Sequence, residues 1–150
     1  MDGHRNITDL LVRRAQTAPY HAAFDVATGG DRWRQVSTAD FLAEVSTLAK
    51  GFIAAGILPG DALAILASTR YDWAVADLAA WFAGAVVVPV YETSAPGQVA
   101  GIVRDAGVVL GVGGTDAQTR LLADAFVETG AGALGAFAMD PRDRVGTGIR

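Results

Sequence analysis

The chain has 150 residues, a formal charge of −4 and no cysteine, which is enough length for one domain with its own core and too little for two. Its mild, dispersed acidity forms no basic patch able to track a phosphate backbone, so no nucleic-acid partner is expected. Without cysteine there is no disulfide, thiolate metal site or cysteine nucleophile; this suits a reducing cytoplasm, the expected location, and the opening MDGHRNITDL carries no basic-then-apolar export signal.

Thr8 is the expected N-cap of a first helix with Leu10, Leu11 and Ala15 on one face and Pro19 closing it. Residues 21–26 alternate loosely, Thr28-Gly29-Gly30-Asp31 is a turn cluster, and residues 33–36 resume an extended pattern. Together they predict a β-hairpin. Ser37 with Asp40 makes a capping-box variant and opens a helix striped by Phe41, Leu42, Val45, Leu48, Ala49, Phe52 and Ile53. Gly56 ends that helix as an αL cap would. Ile57-Leu58-Pro59-Gly60-Asp61 is then a tight turn into a strand over 62–67.

The centre of the chain is residues 69–94, TRYDWAVADLAAWFAGAVVVPVYETS. Ser68 or Thr69 caps a helix in which Val75, Leu78, Ala79 and Phe82 share a face, and Trp73 and Trp81 make the other flank apolar, so cover on most sides is expected. Gly84 breaks it. Val86, Val87, Val88 and Val90 do not alternate with polar residues, which predicts a parallel strand buried on both faces. Pro96 suits the first turn of the next helix, where Val99, Ile102, Val103 and Ala106 share a face. Gly107 stops that helix before a strand over 108–112. Thr115 with Gln118 opens another helix, with Leu121, Leu122, Ala125 and Phe126 inward, and a last strand spans 133–138. Residues 139–150 lose apolar periodicity and read as a disordered tail.

From residue 62 onward strands and helices alternate, and helical crossovers of this length impose parallel, right-handed pairing. The expectation is an α/β fold: a mostly parallel sheet with covering helices, plus an N-terminal β-hairpin. A membrane-spanning helix would need roughly 20 apolar residues. The apolar stretch 74–90 is interrupted by Asp77, Gly84 and Pro89, so no transmembrane segment is expected.

Three stretches carry a family resemblance: the aromatic-containing strand and helix opening from Trp33 to Phe41, the turn Gly56-Ile57-Leu58-Pro59-Gly60-Asp61, and Ala83-Gly84-Ala85-Val86-Val87-Val88-Pro89-Val90. Jointly they resemble the N-terminal part of the AMP-forming acyl-CoA synthetases, in the adenylate-forming superfamily with luciferases and peptide-synthetase adenylation domains. The continuation Tyr91-Glu92-Thr93-Ser94 is most similar to bacterial long-chain fatty-acid–CoA ligases, and the resemblance covers about residues 8–126.

The resemblance implies a partial N-terminal AMP-binding domain over 1–138, with 139–150 as a tail. It implies the family's two-step chemistry: a carboxylate attacks the α-phosphate of ATP to give acyl-adenylate and pyrophosphate, then coenzyme A displaces AMP. That chemistry needs a phosphate-cradling loop, Mg²⁺ and a cation near the adenylating centre. The family's Ser/Thr/Gly-rich loop followed by lysine, its acidic ribose ligand and its C-terminal lysine have no counterpart in the sequence. No catalytic, cofactor-binding or metal residue is therefore carried over. The expectation is a truncated ligase segment, inactive alone and binding neither ATP, Mg²⁺ nor coenzyme A by itself. Fatty acid and coenzyme A are partners of the full-length family, and pairing with a complementary fragment or as a homo-oligomer stays open. Two alternatives remain: a non-catalytic interaction module that keeps the scaffold, and a small Rossmann- or flavodoxin-like nucleotide-binding domain.

Individual residues weigh the same way. Gly111-Val112-Gly113-Gly114-Thr115-Asp116 sits where a dinucleotide fingerprint would, but Asp116 holds the third glycine's place and would repel a pyrophosphate, so an ordinary strand-to-helix turn is expected. Lys50, the one lysine, reads as a solvated residue near a helix C-terminus. His4 and His21 have no ligand-spaced partner. Asp72 reads as first-turn capping, whereas Asp77 sits uneasily in an apolar helix and could pair with Arg70 or Arg104. Ser68, Thr93 and Ser94 have no histidine placed to activate them and read as caps and turn residues. Tyr91 and Glu92 follow a strand's carboxyl end, where ligands of open α/β sheets bind, beside the plainer reading of a structural turn.

Overall fold

The computed structural model describes residues 6–139. Its elements run α1 (Ile7–Thr17), β1 (Ala22–Gly29), β2 (Arg32–Ser37), α2 (Thr38–Ala54), β3 (Ala62–Leu66), α3 (Tyr71–Phe82), β4 (Val86–Val90), α4 (Pro96–Asp105), β5 (Val108–Gly113), α5 (Asp116–Thr129) and β6 (Gly135–Ala138). His4 and all of the expected tail except Met139 lie outside the described residues.

Local chemistry sets the helix starts. Ser37 Oγ accepts the Asp40 N–H at 3.1 Å and donates to the Asp40 carboxylate at 2.7 Å, fixing the entry to α2. Thr115 Oγ1 accepts the Gln118 N–H at 3.2 Å at the head of α5. Two expected caps are corrected. Asn6 rather than Thr8 caps α1, because its side chain reaches the Thr8 and Asp9 N–H groups while Asp9 answers to the Asn6 N–H. At α3 the N-cap is Arg70, not Ser68 or Thr69, and no side chain caps the first turn.

β3 to β6 form one parallel sheet in the order β4-β3-β5-β6, and β1 pairs antiparallel with β2 in a separate hairpin. The α/β architecture, parallel sheet and N-terminal hairpin all match the expectation. Strand alternation divides the core in two. Leu63 and Ile65 of β3, with Leu110 and Val112 of β5, face α2 and α3, where Val45, Phe52, Ala76 and Ala79 are buried. Ala64 and Leu66 face α4 and α5, against Val99, Val103, Leu122 and Phe126. The sheet is thus sandwiched between two helix pairs.

The valine strand is the main correction. β4 pairs with β3 alone, in parallel register from Ala62↔Val86 to Leu66↔Val90. It is an edge strand: Val86 is 56% exposed, and Val90 alone in the strand is buried. An unbroken apolar run signals burial on both faces, but the residues cannot say whether a neighbour on the outer side belongs to the same chain. Pro89 fits this edge. Val86 donates its N–H to Asp61 O at 2.8 Å; by alternation Val88 and Val90 turn their backbone groups toward β3, and Val87 and Pro89 turn theirs outward. The missing N–H of proline therefore falls on the unpaired side.

The turn from α3 into β4 uses Gly84 at φ +81°, where an added Cβ would sit 3.2 Å from Pro59. Backbone conformation and the close approach of Pro59 both select glycine there.

Candidate functional site

In an open parallel sheet, ligands bind beyond the strand carboxyl ends where the winding direction reverses. Here β3 is followed by β4 on one side and flanked by β5 on the other, so the reversal lies between the β3–α3 and β5–α5 turns. Those turns are packed onto each other. Gly114 donates its N–H to Leu66 O at 2.9 Å, and an added Cβ would meet the Ala67 methyl at 2.7 Å. Arg70 closes the top, its Nη2 donating to Gly114 O at 2.8 Å, while its Nε lies 3.6 Å from the Asp72 carboxylate. A cation, a glycine contact and a carboxylate occupy the place where a nucleotide phosphate would enter.

This accounts for the glycine-rich stretch. Gly111 lies under Phe126 and Leu122, and Gly113 under Thr119, so α5 approaches β5 closely. The expected strand-to-helix turn is what the chain forms.

The open space lies beside the reversal. A cleft of about 380 Å³ is bounded by Ser68, Thr69, Trp73, Val90, Tyr91 and Glu92. It unites the two residues expected at a strand end, Tyr91 and Glu92, with the β3–α3 turn and the first turn of α3. Tyr91 is 86% exposed and Glu92 is exposed, so both lie on the rim. The lining is an indole, a phenol, hydroxyls and a carboxylate, without a cationic group. Such a surface suits neutral or cationic groups and repels phosphate.

A second feature was not legible in the sequence. Phe24 of β1, Phe41 of α2 and Tyr71 of α3 form an aromatic cluster, with Phe24 and Phe41 centroids 4.8 Å apart and Phe24 and Tyr71 5.2 Å apart. The Tyr71 hydroxyl donates to Glu44 Oε2 at 2.8 Å, and the Arg34 guanidinium stands over the ring at 5.8 Å. Burial first, then the bond to Glu44, raises the Tyr71 pKa well above that of a free phenol. The cluster ties hairpin, α2 and α3 together. Periodicity finds each ring but cannot bring three separate elements to one point.

The other candidates are dispersed. Lys50 is exposed late in α2; His21 is exposed, with its ring Nδ1 3.3 Å from Arg14 Nη2. Asp72 lies in the first turn of α3, as expected of a capping charge. Asp77 is half-buried and its pKa is raised by burial. Arg70 turns away from it to Gly114 and Asp72, and Arg104 is exposed on α4. Among the described residues no group of three or more acidic or histidine side chains could hold a metal ion, and no helix is long and apolar enough to cross a membrane.

The α/β sheet, its reversal point and its turns are those of an adenylate-forming scaffold: residues 11–135 match the AMP-binding enzyme family, and the chain belongs to it. Among curated relatives, the long-chain-fatty-acid–CoA ligase FadD15 of Mycobacterium tuberculosis and that of Mycobacterium bovis are each 31% identical over 121 residues, or 81% of this chain. The match spans 20% of the length of those relatives. A solved structure from Rhodopseudomonas palustris, assigned as a long-chain-fatty-acid CoA ligase, superposes with a TM-score of 0.79 at 25% identity, covering 91% of this chain and 33% of that one.

Proposed function

We propose that this chain supplies an N-terminal part, residues 1–138, of an AMP-forming long-chain fatty-acid–CoA ligase and does not turn over substrate by itself. The family match over residues 11–135, together with the naming of its 31%-identical relatives as long-chain fatty-acid–CoA ligases, carries this reading. The reaction of the whole enzyme would be ATP-dependent formation of acyl-adenylate followed by transfer to coenzyme A. In it, this chain's residues act as scaffold: Arg70 and Gly114 lock the sheet's reversal point, and the Phe24–Phe41–Tyr71 cluster fixes the hairpin. The reading assigns the chain to the cytoplasm, in keeping with its lack of cysteine.

The test is pyrophosphate release from ATP, Mg²⁺ and palmitate by the purified chain. No turnover above buffer is expected, because the electrostatic stabilisation that adenylation requires has no cationic cradle among the described residues. Turnover abolished by mutation within residues 6–139 would refute the reading. A second reading, an interaction module that retains the scaffold, is favoured by one observation: the apolar strand β4 lies at an unpaired edge.

A further inference from the structure

We draw no further inference here: the strongest candidate, the cleft bounded by Ser68, Trp73, Tyr91 and Glu92 at the carboxyl ends of β3 and β4, belongs to the candidate site already described.

Discussion

Replacing Gly114 by alanine tests whether the glycine-rich turn is packed or is a cradle for phosphate. The added methyl would sit 2.7 Å from the Ala67 methyl, 2.9 Å from Gln118 Oε1 and 3.1 Å from Ala67 Cα. Gln118 can swing aside; the Ala67 methyl and backbone cannot. Relief requires the β3 and β5 ends to separate, loosening the Gly114–Leu66 and Arg70–Gly114 hydrogen bonds of 2.9 and 2.8 Å. Overpacking of this kind costs about 1–3 kcal/mol. With a urea m-value of about 1–3 kcal/mol/M, the unfolding midpoint should fall by roughly 1 M.

Gly101→Ala is the control for the same chemical change. Gly101 lies within α4 and an added Cβ there meets nothing within 4 Å. Relief of backbone entropy should raise stability by about 0.5–1 kcal/mol. The assay is urea unfolding followed by circular dichroism on both variants. A Gly114→Ala chain as stable as the parent would refute the packed-turn argument, and would return the turn to the list of ligand-facing loops.

Two further predictions concern titratable groups. Tyr71→Phe should cost about 1 kcal/mol through loss of the Glu44 bond; in an ultraviolet titration of the parent, Tyr71 should ionise above the range of a free phenol. Because its folded pKa lies above the unfolded one, its contribution is complete below about pH 10 and is lost as pH rises through the folded value; a Tyr71 signal, identified by its loss in Tyr71→Phe, that titrates in the free-phenol range would refute this. Asp77 has the same sign of shift in the acid range. The folded state holds its proton more tightly, so stability should rise as pH falls from neutral through the raised pKa toward the unfolded value. Asp77→Asn should raise Tm at pH 7, with the gap to the parent closing on acidification; a gap independent of pH would show that burial is not the cause.

Much of the fold could be read from local rules. Ser37 with Asp40, Thr115 with Gln118, and Pro96 at a first helical position each marked a helix start that the structure keeps, because caps act over three or four residues. Arg70 misled that reasoning: Ser68 and Thr69 are better capping types, yet the chain enters α3 one residue later so that Arg70 can reach Gly114, which is 44 residues away. The aromatic cluster was illegible for the same reason, since Phe24, Phe41 and Tyr71 come from three elements.

The sequence by itself determined the alternation of strands and helices, the parallel pairing it requires, the hairpin, and the family. Each of these follows from periodicity, chain length between strands, and short motifs. Tertiary structure alone decided the strand order, the packing that fills the reversal point, and the position of β4 at an edge. The physical reason is the same throughout. Apolar patterning records that a residue is to be kept from water, but not which surface does the covering, and for β4, whose Val86 and Pro89 are exposed, the described residues leave that cover incomplete.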